Sequence, residues 1–118
     1  MRARYNTRFF AMTQPQKSRR EILEGFVAAN PNDAFARYGL ALEIARLGDD
    51  AAAGEQFTKL LELHPDYVAA YYQYGQLLAR LGRTDEAKRI LSAGILAAQR
   101  AGDMHARDEA QMLLQSLG

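Results

Sequence analysis

A chain of 118 residues, 48% of them apolar, is long enough to bury one compact domain and short for two. It has no cysteine, which excludes disulfides and thiolate zinc sites, and its charged residues recur too often to leave the roughly 20 uninterrupted apolar residues of a membrane helix. The net charge of +1 conceals an uneven split: residues 1–20 hold Arg2, Arg4, Arg8, Lys17, Arg19 and Arg20 with no acid, leaving 9 basic against 14 acidic groups, or −5, in the rest.

Residues 1–15 read as a basic, disordered N-terminal arm. An Arg-rich, acid-free leader can also target a chain or touch anionic surfaces, but the apolar run Phe9-Phe10-Ala11-Met12 is shorter than a secretory core of roughly 7 to 15 residues. Translation from Met12 would account for the arm equally well. The spacing then predicts a first helix over about 16–29, opened either by a Ser18-Arg19-Arg20-Glu21 capping box or by Pro15 one turn earlier. Ile22, Leu23, Phe26 and Val27 recur at helical spacing and form one stripe that the helix is expected to bury.

Asn32 and Asp33 can cap a second helix, on which Phe35, Tyr38, Leu40, Leu42, Ile44 and Leu47 spread apolar surface over more than one face. Gly48 ends it, because glycine adopts the left-handed conformation without a Cβ clash. Asp49-Asp50 opens a third helix with Phe57, Leu60 and Leu61 as its core, closed at His64-Pro65. Asp66 starts a fourth, with Tyr71, Tyr74 and Leu78 inside and Gly82 as its stop. Thr84, Asp85 and Glu86 open a fifth, which carries Ala87, Ile90, Leu91 and Ile95 and runs to about Arg100. After Gly102-Asp103, Met104 to Leu117 closes the chain. No useful strand-like alternation appears, so about six helices account for the all-α chain.

Displaced by 34 residues, the sequence matches itself at eight positions in one window, from Pro31 on Pro65 through Ala45-Arg46-Leu47-Gly48 on Ala79-Arg80-Leu81-Gly82 to Ala53 on Ala87. Composition alone gives roughly two or three. A plain helical bundle has no reason to repeat its glycine stops, small-residue contacts and proline ends in one phase, so the period implies stacked helix pairs.

In Leu40-Ala41, Ile44, Gly48, Ala53, Phe57 and Pro65, and again in Tyr71, Tyr74-Gly75, Leu78, Gly82, Ala87 and Leu91, the chain resembles the tetratricopeptide repeat family. The resemblance implies a right-handed superhelical array of antiparallel helix pairs, a TPR-like α-solenoid. It implies one domain over 16–118: a half repeat at 16–31, full repeats at 32–65 and 66–101, and a capping helix at 103–117. Small residues at Ala41, Ala53, Gly75 and Ala87 suit close helix approach. Two departures stand out. Arg37 replaces the usual aromatic, and Gln99 replaces a closing proline, so the last helix of the second repeat runs long.

Such arrays curve, and the first helices of successive units line a groove suited to a peptide or a partner helix. On the second helix the face not used for packing holds Phe35, Tyr38, Leu42 and Arg46. On its counterpart it holds Tyr72, Gln73, Gln76 and Arg80, and Arg107 extends the line from the closing helix. Tyrosine gives contact area at small entropic cost and arginine can grip a carboxylate, so an acidic or apolar segment is the expected ligand, bound at micromolar strength. The family's best-known groove clamps a C-terminal carboxylate. The matching places here carry Tyr38, Leu42, Gln73, Asp103 and Arg107, of which only the arginine fits, so chaperone-tail binding is not expected.

Catalysis and metal chemistry find no footing: His64 and His105 lie at helix ends without paired spacing, and phosphate, dinucleotide and nucleophile-elbow motifs are absent. The expectation is a non-enzymatic, cytoplasmic protein–protein interaction module with no cofactor. Its alternative is a self-associating structural adaptor, a homo-oligomer. An RNA-binding helical repeat stands behind both, since the body's charge of −5 opposes phosphate tracking.

Overall fold

The computed structural model describes residues 16–118, and the N-terminal arm lies outside them. Six helices follow in order: α1 (Arg19–Ala29), α2 (Ala34–Arg46), α3 (Asp50–Leu63), α4 (Val68–Arg80), α5 (Thr84–Ala101) and α6 (Met104–Ser116). No strand occurs among the described residues, and none of these helices is long and apolar enough to cross a membrane.

The helix ends follow local chemistry. Ser18 forms a full capping box: its hydroxyl accepts from the Glu21 amide at 3.1 Å, while its own amide donates to the Glu21 carboxylate at 2.9 Å. Asp33, Asp49 and Asp103 cap α2, α3 and α6 through the amides three residues on. One start differs from expectation: Tyr67, not Asp66, precedes α4. α5 opens at Thr84 as expected, preceded by Arg83, and neither Tyr67 nor Arg83 caps through its side chain. Gly48, Gly82 and Gly102 have φ of 87°, 77° and 71°, the left-handed geometry that lets each chain reversal follow directly on a helix.

The helices pack as consecutive hairpins, α2 on α3 and α4 on α5, with α6 against both members of the second pair. Leu40, Ile44, Phe57, Leu60, Leu78 and Leu91 form the fully buried centre. Between them alanines and glycines set the spacing. A Cβ at Gly75 would lie 2.5 Å from Leu91 Cδ2, so that approach exists only for glycine.

The first helix departs from expectation. Leu23 and Val27 pack against the core, but Ile22 is 44% and Phe26 57% exposed. In α3 the place of Phe26 is taken by Leu60, which is fully buried because its own hairpin partner covers it. Among the described elements α1 packs only on α2, so half of its stripe faces outward. Phe35 is likewise exposed, at 77%.

Candidate peptide-binding groove

The wall expected to face a partner would be formed by α2, α4 and α6, which touch one another along α4. A concavity of about 300 Å³ opens there, bounded by Tyr38 of α2, by Val68, Ala69 and Tyr71 to Gln73 of α4, by Gly94 of α5 and by the first turns of α6. Tyr38 is held by Tyr67, with ring centroids 5.2 Å apart and planes tilted by 49°. Burial pushes the Tyr38 phenol above its ordinary value, with Tyr67 adding to the shift, so the side chain stays a neutral phenol. Tyr72 is half-exposed, and its hydroxyl accepts from the Gln76 amide at 3.3 Å.

A second hollow lies along the open edge of α2, lined by Arg19, Gly39, Leu42, Glu43 and Arg46. Its centre is Glu43, a buried carboxylate gripped by Arg46 through two bonds of 2.6 and 3.0 Å, with Arg19 3.6 Å away. The Arg46 bonds hold the Glu43 carboxyl below the ordinary range against the opposing effect of its surroundings, and Arg19 contributes further. One repeat later the same position is Leu77, which is buried among apolar side chains.

The nine residues expected at the groove therefore divide. Tyr38, Tyr72 and Gln73 converge on the first hollow, with Gln76 bonded to Tyr72 beside it. Leu42 and Arg46 line the second. Arg80 reaches back to Asp50 at 3.0 Å, and Phe35 stands outside both hollows. Arg107 is also outside them, bonded to Asp108 at 2.9 and 3.1 Å.

The displacement of Arg107 has a geometric cause. From Asp33 to Tyr67 the helix-start positions are 34 residues apart, but from Tyr67 to Asp103 they are 36 apart, because α5 has 18 residues where α3 has 14 and the following turn is shorter. Two residues turn a helix by about 200°. His105 and Glu109 thereby take the places that Ala69 and Gln73 hold one unit earlier, and both line the hollow together with Asp103. Strict 34-residue spacing pointed to Arg107 instead.

The tetratricopeptide repeat family model matches residues 45–117, from the end of α2 through α6. The crystal structure of a tetratricopeptide repeat domain protein from Salinibacter ruber is similar, with a TM-score of 0.69 at 36% identity, over 72% of this chain and 96% of that one. A solution structure of a Bordetella parapertussis protein gives a TM-score of 0.74 at 26% identity, covering 86% and 89%. DnaJ homolog subfamily C member 3 from Bos taurus is 37% identical over 62 residues, a match spanning 52% of this chain and 12% of that protein.

Proposed function

Because the chain belongs to the tetratricopeptide repeat family, whose fold is a protein–protein interaction module, we infer that it is a non-enzymatic adaptor holding a short peptide or helical segment of a partner in the hollow between α2, α4 and α6. The observation that carries this reading is the pair Tyr38 and Tyr72. Both present ring surface to one concavity, and neither belongs to the fully buried centre. Aromatic floors with an amide at the edge suit an apolar side chain flanked by peptide groups.

The test selects peptides from a displayed library on the full chain and measures their affinity by calorimetry. Tyr72→Ala is expected to weaken selected peptides by about ten-fold, the scale of a buried aromatic contact, with an unchanged melting temperature. Selected peptides that bind the variant as tightly as the parent would place the binding surface elsewhere.

A second reading, self-association, draws on one observation: Ile22 and Phe26 lie exposed side by side on α1. Light scattering at two concentrations separates the two readings, since an α1-mediated dimer dissociates with Phe26→Ser and a peptide groove is indifferent to it. Nucleic acid has less support, because Arg46 and Arg80 already hold Glu43 and Asp50.

A further inference from the structure

The expectation of an acidic ligand required free guanidinium groups along the inner wall. Arg46 is engaged twice by Glu43, Arg80 by Asp50 and Arg107 twice by Asp108. Among the described residues the carboxylates on the wall are bound by no guanidinium: Asp103 accepts from the Ala106 amide at 3.0 Å as the α6 cap, and its second oxygen is not used in that bond. Asp103 and Glu109 both line the hollow that Tyr38 and Tyr72 floor, and the basic side chain found near Glu109 is His105 at 3.8 Å, charged only when protonated. The remaining lining is phenol, amide and aliphatic.

Resting on the peptide-groove reading, we propose that the segment held there carries a lysine or arginine next to its apolar anchor, with the cation meeting Asp103 and Glu109 on α6 while the anchor lies on Tyr38 and Tyr72. The hollow is then an aromatic seat with an anionic rim at one end. Arginine suits it best: its planar fork can stack on the Tyr72 ring and still donate to a carboxylate. An acidic segment is turned away by the same two carboxylates, so the rim selects among partners as well as attracting one. Placing the cation toward α6 also fixes the direction in which the segment crosses the array.

The rim arises from the lengthened α5. At a strict 34-residue repeat, Arg107 would stand where Glu109 stands, and the same hollow would select the opposite charge.

The test uses the full chain and three short peptides, blocked at both ends, that share one aromatic-aliphatic centre and differ in flanks of lysine, glutamine or glutamate. The lysine peptide is expected to bind about five-fold tighter than the glutamine peptide at low salt, with the glutamate peptide weakest, and the advantage should shrink at high salt. The double variant Asp103→Asn with Glu109→Gln removes both charges, and asparagine keeps the α6 cap. It should reduce the lysine advantage to less than about two-fold while leaving the glutamine peptide's affinity unchanged. Glu109→Lys alone should move the preference toward the glutamate peptide. Equal affinity for the lysine and glutamine peptides, or a lysine advantage that survives the double variant, overturns the cation site and leaves the peptide groove standing. Binding of the glutamine peptide that Tyr72→Ala fails to weaken overturns the groove and the cation site together.

Discussion

Arg37 and Tyr71 occupy the same place in successive hairpins, and each directs its polar end at the same kind of acceptor. Arg37 Nη2 donates to the Pro31 carbonyl at 2.9 Å, and the Tyr71 hydroxyl donates to the Pro65 carbonyl at 2.5 Å. The second Arg37 nitrogen, Nη1, donates to Gln56 at 2.9 Å, so this buried arginine has partners on two sides. The residue across the hairpin differs in step. Opposite Tyr71 stands Gly94, where a Cβ would lie 2.5 Å from the tyrosine Cβ, and one repeat earlier that position is the bulky Leu60. Arg37 was readable as a departure from the repeat, but the carbonyl that receives it was not. Gly54 and Gly94 both lie inside helices, but they are not alike, since a Cβ at Gly54 would meet Tyr74 at an ordinary 3.9 Å. Gly54→Ala is therefore expected to stabilise by about 0.5–1 kcal/mol through the unfolded chain and helix propensity. Gly94→Ala should destabilise by about 1–3 kcal/mol, because Tyr71 cannot withdraw without leaving its rotamer and its bond to Pro65. Urea unfolding of the two variants decides: shifts of the same sign in both would mean that the hairpin has slack at Gly94.

At the scale of elements, what separates the helices is how many neighbours each has. α1 packs on α2 and contains no buried residue, whereas α4 is packed by α2, α3, α5 and α6. The stability of α1 thus rests largely on its own turn chemistry, above all the Ser18–Glu21 capping box. Ser18→Ala removes about 1 kcal/mol from that helix. The expected result is faster amide exchange across α1 by about five-fold, with exchange in α3, α4 and α5 and the global melting temperature unchanged. Slowly exchanging amides of α4 accelerating by the same factor would show instead that α1 unfolds only with the whole. The capping box was legible because it is a local pattern of four residues. Two other features were not. The spacing of Ile22, Leu23, Phe26 and Val27 predicts a buried stripe, but periodicity states which side of a helix is apolar and says nothing about whether a neighbour exists to cover it. The length of α5 was legible from Gln99 in place of proline, yet its consequence was not. Extending one helix and shortening the next turn rotates every later side chain, and a repeat read at constant period loses the inner wall from that point on.

For the whole molecule, the two hairpins meet chiefly where α3 packs on α4, and the strength of that joint sets whether the array behaves as a unit. Phe57 of α3 lies 1% exposed against Tyr74 of α4, with ring centroids 5.5 Å apart and planes within 14°, and the Thr58 and Tyr74 hydroxyls share a hydrogen bond of 3.1 Å beside them. In an array where each unit touches chiefly its neighbours, stability is a sum of unit and interface contributions, and cooperative unfolding persists only while the interfaces outweigh the differences between units. The units here are unequal. The second hairpin is braced by α6 along both of its helices, while the first is flanked by α1, which buries little. Phe57→Ala removes about 3–5 kcal/mol of packing, located in the joint as well as in the first hairpin. Two separated transitions are the expected outcome: α2 and α3 lose exchange protection at lower urea than α4, α5 and α6, whereas in the parent chain all five lose it together. Tyr74→Phe, which deletes only the shared hydroxyl bond, should lower the single transition by about 1 kcal/mol without splitting it. If Phe57→Ala instead unfolds every helix in one step, the hairpins are coupled through the α2–α4 contact that also shapes the groove, and the inner wall would then be the element that makes the array a single cooperative body.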